Sequence, residues 1–178
     1  MGRILRSLVA LAAVLALSTP VPAFGAVARS GSAADPNDTA GHLDISYIEG
    51  MKASATAPLH IMIQTYGNWS DAVLATGKPS RMFVLFDTDV DGSAEYKGRI
   101  YSVGTKLTIW IKGSGSSFEN LAVHRVDPKT IKTVIPGNST PNPVTAFNMA
   151  VKTSYKTSSG ACASACVDRA PDAGWVSI

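Results

Sequence analysis

Between Phe83 and Tyr101 the chain reads Phe83-Val84-Leu85-Phe86-Asp87-Thr88-Asp89-Val90-Asp91-Gly92-Ser93-Ala94-Glu95, with three aspartates at alternate positions, then glycine, then glutamate. Calcium takes six to eight hard oxygens. A single loop can supply them from side chains at its first, third and fifth positions, a backbone carbonyl at its seventh and a carboxylate at its ninth. The corresponding ligands are Asp87, Asp89, Asp91, the Ser93 carbonyl and Glu95, with Gly92 at the sharp turn. Without a cation, two such carboxylates about 5 Å apart repel by roughly 3 kcal/mol at an effective dielectric near 20. The twelfth position, where an EF-hand carries a bidentate glutamate, is Gly98, and apolar alternating segments flank the loop, so the EF-hand is excluded. Two readings stay open: a structural calcium loop, or a hairpin turn whose Asp and Gly residues serve backbone geometry alone.

The aromatic candidates are Trp69, in a segment expected to be a loop, Tyr66-Gly67-Asn68-Trp69, and Trp110, in Leu107-Thr108-Ile109-Trp110-Ile111. Period-two alternation puts Trp110 on the face opposite Leu107, Ile109 and Ile111, so its indole points outward when those three face a core. An exposed indole is a flat apolar plate with a polar N–H, suited to a sugar ring or a peptide. Clustering of Trp69 and Trp110 on one face would favour a glycan ligand. Trp175 is expected to anchor the tail.

His42, His60 and His124 have no partner at ligand spacing, and His60 with Met62 cannot flank one haem iron because strand neighbours two apart point the same way. No Gly-x-Ser-x-Gly elbow or His-Glu-x-x-His appears, and Gly77-Lys78 runs into Pro79 without the upstream glycine of a P-loop. No catalytic residue is assigned; a triad assembled from distant positions, for which His124 with an acid and a serine is the test, keeps a secreted hydrolase as the outside alternative.

The elements positioning these residues are read from apolar periodicity. Eight segments alternate or run apolar: 43–47, 59–65, 81–86, 96–103, 107–112, 121–126, 130–135 and 147–155. Turn-forming clusters separate them, and no stretch of a dozen residues keeps a helical period. The expected fold is an all-β antiparallel sandwich of about eight strands with little helix.

The chain has 178 residues, 46% of them hydrophobic and 16% charged, with a net charge of +3. That composition excludes a coiled coil and a disordered charged tail. Residues 4–17 are apolar, follow Arg3 and Arg6, and give way to small residues, which is the pattern of a secretory signal. Its core is too short for a bilayer-spanning helix, and no later segment approaches the roughly 20 residues required. Cleavage is expected after Ala28, with Gly25 and Ala26 as alternatives. Loss of Arg3 and Arg6 brings the charge from +3 to +1, which leaves no electrostatic footprint for nucleic acid.

The expected organisation is therefore a signal peptide over 1–28, a flexible lead-in over 29–41 and one domain over 42–178, secreted and monomeric. Cys162 and Cys166 are expected to form a disulfide, as export favours, tying a C-terminal loop without holding the fold together.

Three segments together resemble a set of secreted bacterial β-sandwich domains of unknown role: Asp35-Pro36-Asn37-Asp38 with Gly41-His42-Leu43-Asp44-Ile45, the Phe86 to Gly92 hairpin, and Cys166-Val167-Asp168-Arg169-Ala170-Pro171-Asp172. The pattern is also similar to family 9 carbohydrate-binding modules and the DOMON superfamily. That resemblance implies an extracellular binding or accessory domain and assigns no ligand-binding residue. The favoured expectation is a non-catalytic domain for a glycan or cell-surface polymer. The alternative is a structural or protein-interaction domain at the cell surface.

Overall fold

The computed structural model describes residues 28–113, 116–117, 120–137, 141–142, 145–156, 161–162 and 164–178. The expected signal segment, apart from Ala28, lies outside the described residues, as do the alternative cleavage residues Gly25 and Ala26. The described chain is built from antiparallel strands, with no α-helix among the described residues. They are β1 (Arg29–Ala34), β2 (Ile45–Lys52), β3 (Leu59–Thr65), β4 (Arg81–Asp87), β5 (Tyr96–Val103) and β6 (Lys106–Gly113). There follow β7 (Ser116–Ser117), β8 (Leu121–Arg125), β9 (Thr130–Ile135), β10 (Asn148–Tyr155), β11 (Cys166–Ala170) and β12 (Val176–Ser177). A 3-10 turn, Asp71–Leu74, drops the buried side chain of Leu74 into the core.

Each of the eight segments expected from periodicity overlaps a strand, though 43–47 begins ahead of β2 and the described strands number twelve rather than about eight. In β3, Leu59, Ile61 and Ile63 are buried while His60 and Gln64 are exposed, and in β6, Leu107, Ile109 and Ile111 are buried while Trp110 is not. Each fully buried aliphatic or aromatic side chain contributes roughly 1.5–3 kcal/mol through removal from water. The strands join in the order β1-β2-β3-β9-β8-β6-β5-β4-β10-β11, with β7 beside β6 and β12 beside β10. The sheet curls until its ends meet: β1 packs against β12, and β11 against β2. It is nearly closed, and side chains carry the closing contacts. The Ile45 N–H donates to Asp168 Oδ2 at 2.6 Å, and Thr153 Oγ1 donates to the Leu43 carbonyl at 2.9 Å.

Two expectations are corrected. Arg29–Ala34, read as part of a flexible lead-in, is β1, pairing with β2 from Arg29 opposite Lys52 to Ala34 opposite Tyr47. Its small residues make the seam possible, since a Cβ on Gly31 would sit 2.1 Å from the Ser177 carbonyl oxygen. The region after Cys166, read as a tied loop, contains β11 and β12, both hydrogen-bonded to β10.

Cys162 and Cys166 form a disulfide, with Cα atoms 5.3 Å apart, at the entry to β11. So short a loop restricts the unfolded chain by about 2 kcal/mol in the entropy model. The double variant Cys162→Ser/Cys166→Ser is expected to keep its β-type dichroism and melt about 4–8 °C lower, as followed by thermal unfolding at 218 nm.

Candidate functional site

The hairpin between β4 and β5 brings Asp87, Asp89, Asp91 and Glu95 together, each offering an oxygen within 4.8 Å of the others. Asp87 ends β4 fully buried, because its carboxylate organises the turn. Oδ1 accepts the Asp91 N–H at 3.1 Å; Oδ2 accepts the Gly92 N–H at 3.1 Å and the Asn148 Nδ2–H at 3.0 Å. Glu95 Oε2 accepts from the Thr88 N–H at 2.5 Å and from Thr88 Oγ1 at 3.1 Å. Asp91 Oδ1 accepts the Ser93 N–H at 2.7 Å. Gly92 has φ +94°, a conformation natural to glycine, and Val90 has φ 64°, which is uncommon for a β-branched residue. The acids therefore have turn-forming work of their own, and they also converge as a hard-cation loop would require.

Trp110 lies on the outer face of β6, 38% exposed, opposite Arg99 of β5 in the strand register. With Tyr101, Thr76 and Asn120 these residues line a surface cleft of about 340 Å³. Tyr101 donates its hydroxyl to Asn120 Oδ1 at 3.0 Å, and the Arg99 Nε–H has no acceptor among the described residues. Asn120 is shared with a second depression of about 560 Å³ that holds Lys106, His124 and Arg125. Arg125 is shared in turn with a third, of about 430 Å³. Together they form one groove across β5, β6 and β8. Its described lining contains Arg99, Lys106 and Arg125, and its only described carboxylate, Asp71, is paired with Arg125 at 2.7 Å.

Trp69 does not join Trp110 as a second exposed plate. It is 6% exposed, and the Arg125 guanidinium stacks 3.9 Å from its ring centre, held there by Asp71. A loop tryptophan offers more apolar surface than a loop can leave in water, and here the arginine covers it. His124 stands opposite Lys132 in the β8–β9 register, without a hydrogen bond to an acid and a serine among the described residues. Trp175 packs near the Arg169 guanidinium, 5.2 Å away.

A second acidic group lies at the seam, where sequence reasoning placed no site. Asp35 follows β1, Asp44 precedes β2, and Asp168 sits in the middle of β11; they are 3%, 1% and 3% exposed. Exposed Asp38 and Asp172 flank them. Asp35, Asp168 and Asp172 offer oxygens within 4.8 Å of one another, as do Asp38, Asp44 and Asp168. Burial pushes the Asp35 carboxyl up to about 7, reinforced by Asp168 and further aspartates, and lifts Asp44 to about 6 for the same reasons. Asp168 is also raised by burial, against the pull of the Ile45 and Arg169 N–H groups. Burial with neighbouring Asp44 raises the Tyr155 phenol, and burial lowers His42. Two carboxylates at this separation repel by roughly 3 kcal/mol at an effective dielectric of 20.

No family model, curated protein or solved structure matches the chain.

Proposed function

We propose that this chain is a secreted, non-catalytic binding domain that takes a glycan, specifically an acidic polymer, along the groove starting at Trp110. The exposed indole of Trp110 beside Arg99 and Tyr101 carries this reading. A flat apolar plate flanked by a guanidinium and hydrogen-bonding side chains suits a sugar ring bearing a carboxylate or phosphate. The excess of cations along the groove, with its one described acid already paired, favours anionic over neutral chains. In this reading the curled sheet acts as a sandwich with one broad outer face, calcium in the Asp87–Glu95 loop stiffens the hairpin, and the leader directs export.

Protein contact through a strand edge is less favoured, because β1 and β11, the ends of the strand order, each lie against the opposite end of the sheet.

The test is affinity electrophoresis and calorimetry of the purified domain against polygalacturonate and teichoic acid, with xylan and cellulose as neutral comparisons. Binding to the acidic polymers that weakens as salt rises from 50 to 500 mM is the expected result. Absence of binding to every polymer would transfer the assignment to a protein-interaction domain.

A further inference from the structure

The seam aspartates differ from the hairpin acids in one decisive respect. The hairpin carboxylates accept backbone and side-chain N–H groups, whereas both oxygens of Asp35 and Oδ1 of Asp44 are buried with no hydrogen-bond partner among the described residues. A buried, unpaired carboxylate oxygen is strongly unfavourable unless a cation or donor meets it. Among the described residues no basic side chain fills that role: the charges acting on Asp35 and Asp44 are those of other aspartates. Arg169, next to Asp168, turns its guanidinium to the carbonyls of Pro171 and Gly174. Turn geometry does not explain the grouping either, since the acids arrive from the end of β1, the approach to β2, the centre of β11 and the turn beyond it.

We propose that the seam between β2 and β11 holds a calcium-class divalent cation at Asp168, the residue shared by two aspartate triads, Asp35–Asp168–Asp172 and Asp38–Asp44–Asp168. The donors are hard oxygens, and both cysteines are committed to the disulfide, which favours calcium over a soft or borderline metal. Asp168 would then serve twice, accepting the Ile45 N–H at 2.6 Å and reaching the ion, so that the cation fastens β11 to the approach of β2. The site is independent of the groove and of the hairpin loop.

The experiment is calcium titration calorimetry and thermal unfolding of the metal-stripped chain, with two seam variants and one hairpin variant. Asp38→Asn/Asp172→Asn alters only exposed positions and should fold even where Asp44→Asn does not. Both seam variants are expected to lose one calcium equivalent, or to bind it at least about tenfold more weakly. In chelator Asp38→Asn/Asp172→Asn should melt no lower than the unaltered chain, because it removes like charge from a crowded site. In calcium both seam variants should melt several degrees below the unaltered chain, since an ion bound only by the folded state raises the midpoint. The hairpin variant Asp89→Asn/Asp91→Asn should retain the seam equivalent. Calcium isotherms and calcium-dependent midpoints unchanged in the seam variants would overturn the proposal, whatever the hairpin variant or the polymers do.

Discussion

Replacing Asp87 by alanine is expected to cost about 3–5 kcal/mol, the largest loss foreseen for any single polar side chain here, and to lower the melting midpoint by roughly 6–15 °C. The fully buried carboxylate accepts from three donors: the Asp91 and Gly92 N–H groups and the Asn148 amide. Alanine leaves the Gly92 N–H and the Asn148 amide without this acceptor and the Asp91 N–H with only its longer bond to Asp89 Oδ1 at 3.3 Å, and Asn148 lies inside the sheet between β4 and β12. Asn148 Oδ1 also accepts from Ser177 Oγ at 2.9 Å, so the disturbance should spread along β10. Because the donors are stranded with or without a cation, the loss should persist in chelator. Thermal unfolding in calcium and in chelator separates the roles: a deficit confined to calcium would mean that Asp87 acts only as a ligand.

Replacing Trp110 by alanine is expected to weaken binding to an acidic polymer by about 2 kcal/mol, roughly thirtyfold, as the loss of an aromatic anchor does. Part of the indole rests on the sheet, so the variant should also melt a few degrees lower. Circular dichroism of the β type, preserved alongside the loss of affinity, distinguishes a missing plate from a missing fold. Arg99→Ala should reduce affinity for the acidic polymer and flatten its salt dependence, which removal of the aromatic alone should not do. Equal affinity of Trp110→Ala and the unaltered domain in calorimetry would remove the groove as the binding surface.

The strands were legible where one face is apolar. The 96–103 and 130–135 segments coincide with β5 and β9 because Gly98, Ile100 and Ser102 alternate inward against exposed or half-exposed neighbours, and Ile131, Thr133 and Ile135 against exposed Lys132 and Val134. β1 escaped because Arg29-Ser30-Gly31-Ser32-Ala33-Ala34 has no apolar face; it is small so that β12 can approach it. β11 escaped because its inward positions are Cys166, Asp168 and Ala170, and an aspartate at the centre of the buried face breaks the pattern by which strands are recognised. The same residue explains why the second acidic group was missed. All five of its aspartates stand in the segments that resemble secreted β-sandwich domains, yet nothing in a linear reading places Asp168 beside Asp44. The hairpin acids, within nine residues of one another, were readable as a group. Trp69 was misread because the residue covering it, Arg125, lies on another strand.

The bond from Ile45 to Asp168 spans 123 positions of sequence. As the chain emerges from a ribosome, its earliest strands have no cross-seam surface to meet until the last segment follows, and contacts of such long range form late and slowly. An incompletely synthesised chain is thus an open sheet with an uncovered edge, exposed to stray strand pairing until the final residues bring its ends together.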